Sequence, residues 1–393
     1  MVTGIRRCGK SYLLFRLYYE YLLGTGVDAS HILTVPLDDD FEELRDRKAL
    51  GAYIKQRVTD KGTWFIFLDE VQMCEGFESV LNGLNRHENL DIYVTGSNSK
   101  FLSADILTEL RGRGDEVRGF PLSFSEFLSA YQGDKYEAWS DYCTYGGLPL
   151  ILSRKTAEMK SKYLTSLCGE LYRKDIVERN NLRGDNVMPA LLKILASAIG
   201  ALTNPSKLSA TSNSRGISTT NKTVSLYIDH LLDAFFISRA ERFDIKGKKY
   251  IASPCKYYFT DVGLRNAQLN FRQQEETNIM ENIIYNELLM QGFNVDVGIV
   301  EHSARDESGK VVRKHLEEDF VCNLGSRRYY IQSAFAIPDN EKMEQEQNPL
   351  LKIGDSFKKI IVVKGKTKPW RNEAGIVIMD VMDFLLNPNS LDL

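Results

Sequence analysis

Eight residues near the start of the chain, Gly4-Ile5-Arg6-Arg7-Cys8-Gly9-Lys10-Ser11, have the types and spacing to hold a triphosphate. Gly4 and Gly9 let the backbone curl so that successive N–H groups converge on one anion. Lys10 adds a positive charge near the β- and γ-phosphates, and Ser11 adds a hydroxyl for Mg²⁺. The residues expected to bind ATP or GTP are Gly4, Arg7, Cys8, Gly9, Lys10, Ser11 and Tyr12. A glycine turn ahead of a core helix is the plain alternative, and it explains neither Lys10 nor Ser11. The same chemistry needs a carboxylate for the metal and a group that prepares water. Asp69 and Glu70 supply both types at the end of the apolar run Trp64-Phe65-Ile66-Phe67-Leu68. Charge at the end of a buried strand is costly unless a cation or hydrogen bonds compensate it. Asp69 is therefore the candidate Mg²⁺ ligand beside Ser11, and Glu70 the candidate to orient and deprotonate the attacking water. Capping of the next helix by Asp69 is the competing structural role.

Two further groups suit phosphoryl chemistry. Ser97 or Asn98, at the end of the run Asp91-Ile92-Tyr93-Val94-Thr95-Gly96, stands where a neighbouring strand would reach the γ-phosphate or the water; a simple turn is the alternative. Arg111 and Arg113, in Leu110-Arg111-Gly112-Arg113-Gly114, are candidates to stabilise charge on the equatorial phosphoryl oxygens, within one chain or from an adjoining copy. Pairing with Asp115 or Glu116 is their plainer role.

Positioning these groups requires strands that end together. Thr63–Leu68 reads as a strand buried on both faces, as in a parallel sheet covered by helices. His31–Leu37 and Asp91–Asn98 read as its companions, the first running into the acidic turn Asp38-Asp39-Asp40. Tyr12–Leu23 repeats Leu13, Leu14, Leu17, Tyr18, Tyr21 and Leu22 at helical spacing, so the positive end of a helix faces the phosphates. Only Met1–Thr3 precede the loop, which leaves either a stub or a trimmed first strand.

The 393 residues, 43% hydrophobic and 26% charged, suit two or three ordinary globular domains. A net charge of -3 argues against indiscriminate coating of nucleic acid or anionic membrane, though not against one basic face. Six cysteines without a C-x-x-C pair indicate neither a zinc site nor a disulfide framework. No signal peptide is evident, so a cytoplasmic location is expected. The oily stretch Val187–Leu202 is broken by Pro189 and Lys193 and is too short to span a bilayer.

The segments G-I-R-R-C-G-K-S, F-L-D-E-V-Q, V-T-G-S-N-S and L-R-G-R followed by F-P-L-S-F-S-E-F-L resemble the AAA+-related prokaryotic ATPases with a G-x-R-R-x-G-K-S loop. The likeness continues through Gly146-Gly147-Leu148-Pro149 and more loosely to the C-terminus. It implies a five-stranded parallel sheet, ATP and Mg²⁺ as cofactors, and a nuclease-like domain after the ATPase. Arg6 and Arg7 match the family's paired arginines, where pairing with acidic neighbours or a subunit contact are both reasonable.

Beyond the first domain, Leu164–Asn181 reads as a helix with Arg173-Lys174-Asp175 on its outer side. A helix over Val187–Ala201, a Ser/Thr/Asn-rich stretch, a helix over Lys222–Asp233 and a hairpin with the tip Lys246-Gly247-Lys248-Lys249 follow the order of a winged helix-turn-helix. Such a module suits DNA or docking of domains, and the basic tip favours nucleic acid. His230 reads as a surface or interface histidine rather than a ligand, since no partner lies at metal spacing. The helix Asn278–Met290 and the strand-like runs after it resemble a PD-(D/E)XK nuclease core. In that likeness Glu281, Asp319 and Gln332 converge on Mg²⁺, but Ala334 stands at the lysine position, which argues against cleavage.

The expected architecture is thus an α/β chain: a P-loop NTPase core of AAA+-like type over 1–128 and a helical connector over 129–187. A winged helix-turn-helix over 188–269 and a degenerate nuclease-like α/β domain over 270–393 follow. The expected partners are ATP, DNA through the winged helix, and further copies of the chain, with no membrane.

Overall fold

A computed structural model describes residues 1–393 apart from 39–41, 98–113, 181, 183–185, 273–274, 306–310 and 366. The chain forms two compact units. The first comprises Met1–Pro121, Leu171–Asn181 and His230–Phe236; the second comprises Leu122–Glu170, Leu182–Asp229 and Ile237–Leu393.

The first unit is built on a five-stranded parallel sheet. Its strands are β1 (Val2–Thr3), β2 (Ile32–Pro36), β3 (Trp64–Asp69), β4 (Leu90–Gly96) and β5 (Val117–Arg118), in the order β2-β3-β4-β1-β5. Parallel strands need long crossovers, and helices covering both faces explain why β3 reads as a nearly continuous apolar run. Ile66, Phe67 and Leu68 are fully buried. Ile66 and Leu68 pack with Val35, Leu50, Ile54, Leu81 and Leu84 on one side, while Phe67 meets Leu14, Leu22 and Ile32 on the other. Each such side chain contributes about 1.5–3 kcal/mol through removal from water.

Register places the chemistry. Leu68 pairs with Val94, and Val2 pairs with Thr95. The strand ends therefore line up, so that Asp69, Thr95 and the loop after Thr3 lie side by side. β1 is two residues long and is paired on both edges, by β4 and β5.

The helix opening at Lys10–Tyr12 continues as a π-helical run, Leu13–Tyr18, and ends as Tyr19–Gly24. The wider turn shifts the apolar periodicity. Leu14 and Leu22 are buried as expected, whereas Tyr12, Leu13, Leu17 and Tyr21 are exposed.

The second unit holds an eight-stranded mixed sheet. Its strands are β6 (Ile237–Asp244), β7 (Lys249–Phe259), β8 (Asn294–Arg305), β9 (Val311–Leu324), β10 (Arg327–Ala334), β11 (Lys358–Val363), β12 (Trp370–Arg371) and β13 (Val377–Asp380). Their order is β12-β13-β11-β10-β9-β8-β6-β7. The helices Val187–Ser197 and Asn221–Asp233 precede the β6–β7 hairpin as expected, but the Ser/Thr/Asn-rich stretch between them folds as a further helix, Pro205–Ser214. The hairpin does not stand apart, however: β6 pairs in parallel with β8, so one sheet runs across the expected boundary at 269. The helix Glu276–Met290 packs on this sheet, and the helix Asn340–Lys352 bridges β10 and β11.

Gly146–Pro149 has a structural use. Asp261 accepts hydrogen bonds from the amides of Gly147 (2.8 Å) and Leu264 (3.1 Å), and burial pushes its carboxyl up to about 6. His230 is buried. Among the described residues no helix is long and apolar enough to cross a membrane.

Candidate functional site

The loop after β1 curls because its glycines allow it. Gly4 has φ +138°, and a Cβ there would lie 2.1 Å from the carbonyl oxygen of Gly119. Gly9 has φ +110° and its carbonyl accepts from the amide of Leu13 at 2.8 Å, so the first helical turn starts at Lys10. Arg7 also has a positive φ, at 68°, and points outward. Lys10 is buried, its Nζ donating to the carbonyls of Gly4 (2.9 Å) and Ile5 (3.0 Å). Cys8 is buried against Gly119, and burial pushes its thiol up, so it packs rather than reacts. Tyr12 is 64% exposed beside the loop.

The acidic pair meets this loop. Ser11 Oγ donates to Asp69 Oδ1 at 3.1 Å, and Thr95 Oγ1 donates to the same oxygen. Glu70 is 8% exposed and adopts a left-handed conformation with φ 48°. Such a backbone is uncommon for a glutamate and clusters at functional sites. It is held by a bond from the Glu70 amide to Thr95 Oγ1 at 2.9 Å. The Glu70 carboxylate accepts from Gln72 and, at 3.3 Å, from Ser97 Oγ. Ser11 at the helix start and Asp69 at the end of β3 are hard oxygen donors, which suits Mg²⁺, an ion that keeps waters and shares phosphate oxygens. Among the described residues no three His, Cys, Asp or Glu side chains converge as a complete protein cage. Asn98, Arg111 and Arg113 lie outside the described residues.

Sequence reasoning missed the next group. Asp175, expected on the outer side of its helix, is 2% exposed. Arg6 reaches it bidentately, Nε to Oδ2 at 2.8 Å and Nη2 to Oδ1 at 2.9 Å. Arg179, one turn on, lies 3.5 Å from Asp175 Oδ1 and donates to Ser97 O (3.4 Å) and Ser97 Oγ (3.3 Å). Burial lowers the guanidinium pKa of Arg179, with the Asp175 charge opposing that shift. The signal in the sequence was the i, i+4 pair Asp175/Arg179 four residues after Leu171, together with the otherwise unassigned Arg6.

The second unit holds its own buried charges. Lys256 of β7 is 2% exposed, with Nζ 2.9 Å from Glu281 Oε1, 2.7 Å from Glu317 Oε1 and 3.1 Å from Asp319 Oδ1. Burial alone would lower the Lys256 pKa, but Tyr258, Asp319, Glu281 and Glu317 together hold it well above the usual value. Burial raises Glu281 to about 7 despite Lys256. A register shift in the β8–β9 ladder between Asp296 and Gly298 re-aims Asp319. Glu318 and Val321 both face Gly298, leaving Asp319 to meet Lys256. Of the residues the nuclease likeness brings together, Glu281 and Asp319 meet at Lys256, while Gln332 donates its amide to Glu346 at 3.0 Å and accepts at its oxygen from the Asp319 amide at 3.3 Å. Lys256, not a residue at position 334, is the cation here.

Residues 1–128 match the AAA domain family, and residues 136–275 match a domain family of unknown function. An uncharacterized protein of Haemophilus influenzae is 33% identical, over 98% of this chain and 94% of its own length. An uncharacterized protein of Methanocaldococcus jannaschii is 25% identical, over 87% of this chain and 76% of its own. Among solved structures, a Walker-type ATPase of Pyrococcus abyssi aligns with a TM-score of 0.49 and 15% identity, covering 68% of this chain and 90% of that one.

Proposed function

The chain belongs to one family with the Haemophilus influenzae protein and carries an AAA domain over 1–128, and from that premise we propose that it binds ATP and hydrolyses it. The observation that carries this reading is the meeting of Ser11 Oγ and Asp69 Oδ1 at 3.1 Å, beside the loop and next to Glu70. The loop amides and Lys10 cradle the phosphates, with Lys10 exchanging its hold on the Gly4 and Ile5 carbonyls for phosphate oxygens. Ser11 and Asp69 would hold Mg²⁺, which supplies charge neutralisation at the β- and γ-oxygens. Glu70, its backbone pinned by Thr95, orients the attacking water and accepts its proton. Turnover then acts on the second unit through the two chain segments of the first unit that interrupt it in sequence.

Phosphate release from wild type and Glu70→Gln tests this. Wild type should release phosphate only with Mg²⁺. Glu70→Gln should retain ATP while losing turnover by about 10²-fold or more, in the range that general-base removal gives. Binding without turnover in wild type would instead make the chain a nucleotide-gated regulator.

A further inference from the structure

A cavity of about 230 Å³ lies between the helix Lys135–Tyr145 and the start of the helix Glu276–Met290, with all its lining in the second unit. Tyr136, Trp139 and Cys143, spaced i, i+3 and i+7, line it from one face of the first helix. Ile279 and Phe335 extend the apolar wall. Trp139 is 6% exposed and its ring is set edge-on against Phe124, with centroids 5.4 Å apart, so this wall is formed before anything binds. Burial pushes the Cys143 thiol up, which keeps it protonated and suits non-covalent binding.

Among the described residues that line the cavity two are charged, and they are opposite. Lys364 Nζ lies 3.5 Å from Glu276 Oε2 and 4.4 Å from the centre of the Phe335 ring. Both act on the Cys143 thiol, Lys364 lowering its pKa and Glu276 raising it, so both stand at the cavity rather than away from it. Their pair is loose. Good charge-assisted bonds are about 2.7–2.9 Å long, and these two side chains are 38% and 60% exposed.

We infer that this cavity binds a free α-amino acid with an apolar side chain of phenylalanine's size, its carboxylate on Lys364 and its ammonium on Glu276. The inference goes beyond the ATPase reading and does not depend on it. A ligand with a carboxylate alone would draw Lys364 from Glu276 and set two carboxylates side by side. An amine alone would set two ammonium groups side by side. A zwitterion compensates both charges, exchanging one loose pair for two charge-assisted bonds. Its side chain leaves water among Trp139, Ile279 and Phe335, where an aromatic ring gains edge-to-face contacts. The volume falls below the roughly 300–1,000 Å³ of sites for drug-sized ligands, so the occupant is small.

Calorimetric titration of the full chain with L-phenylalanine, 3-phenylpropionate, phenethylamine and glycine tests this. Phenylalanine should bind saturably at one site. Each of the other three should bind at least tenfold more weakly, having lost one bond to a charged group or the apolar contact. The two one-charge compounds also stand for the ends of a peptide. Glu276→Gln should weaken phenylalanine about tenfold and strengthen phenylpropionate, whose carboxylate then meets no like charge. Lys364→Gln should weaken phenylalanine as much and strengthen phenethylamine. An exposed pair of this kind contributes little to stability, so both variants should fold. No saturable phenylalanine binding, or equal affinity for phenylalanine and either one-charge compound, would overturn the inference. So would variants that weaken all the compounds alike or none.

Discussion

Each unit of this chain buries a lysine, and the two lysines are held differently. Lys10 is bound by the backbone carbonyls of Gly4 and Ile5, with no formal negative charge among these partners. Lys256 is bound by the carboxylates of Glu281, Glu317 and Asp319, contributed by a helix and a strand distant in sequence. Carbonyl dipoles hold an ammonium loosely enough for a phosphate to take it, and the nearby carboxylates of Asp69 and Glu70 bond instead to Ser11, Thr95, Gln72 and Ser97. Three carboxylates saturate Lys256, and Gly200 packs its backbone over the Glu281 end of the cluster. One lysine is poised for a ligand; the other ties elements together.

The comparison breaks most sharply at the two lysines themselves. Lys10→Ala should weaken ATP binding by two orders of magnitude or more and barely change the unfolding midpoint, as read by calorimetric titration and urea denaturation. Lys256→Ala should do the reverse. Removing one partner of a buried charge cluster costs about 3–5 kcal/mol, so the second unit's transition should fall while ATP affinity holds. If Lys256→Ala instead lowered nucleotide affinity with stability unchanged, the contrast would fail.

Acidity sharpens the contrast further. Burial raises Glu281 in the folded chain to about 7 from an ordinary 4.5. A carboxyl raised on folding contributes stability fully present below its unfolded pKa and lost as pH rises through the folded value. Stability should therefore decline between about pH 4.5 and 7 in wild type, and Glu281→Gln should flatten that window in denaturation curves. An unchanged slope would mean that Glu281 titrates normally. The smallest effect should come from Tyr258→Phe, which deletes the bond from the Tyr258 hydroxyl to Glu281 Oε1 at 2.6 Å. About 1–3 kcal/mol is expected for a hydrogen bond to a charged group, measured by the same denaturation.

The candidate nucleotide site was legible as a set of residues because the pattern that marks it is local. Gly4 to Ser11 is contiguous, and Asp69-Glu70 ends an apolar run whose period marks a buried parallel strand. The presence of strands after the helix Glu276–Met290 was readable too, but not the extent of the long β8–β9 pair, Asn294–Arg305 against Val311–Leu324. The meeting of Glu281 and Asp319 was legible through the nuclease likeness, but Lys256 between them was not, because nothing in Lys256-Tyr257-Tyr258 signals a partner 25 or 63 residues away. A one-residue register shift decided that Asp319 rather than Glu318 would meet it. Asp175 was read as solvent-facing because the helix pattern around Leu164, Leu167 and Leu171 assigns it to the polar side. Burial by the distant Arg6 overrode that pattern. The β6–β7 hairpin has the order of a wing in sequence, yet its pairing with β8 depends on a contact that spacing does not encode.

The central claim is that a triphosphate sits at the start of the opening helix, with its metal on Ser11 and Asp69. The most direct measurement is calorimetric titration of the full chain with ATP, with Mg²⁺ and with EDTA, for wild type and Asp69→Ala. The account predicts that Mg²⁺ tightens ATP binding to wild type and that Asp69→Ala abolishes this dependence while retaining metal-free binding. An undiminished Mg²⁺ effect in Asp69→Ala would contradict it.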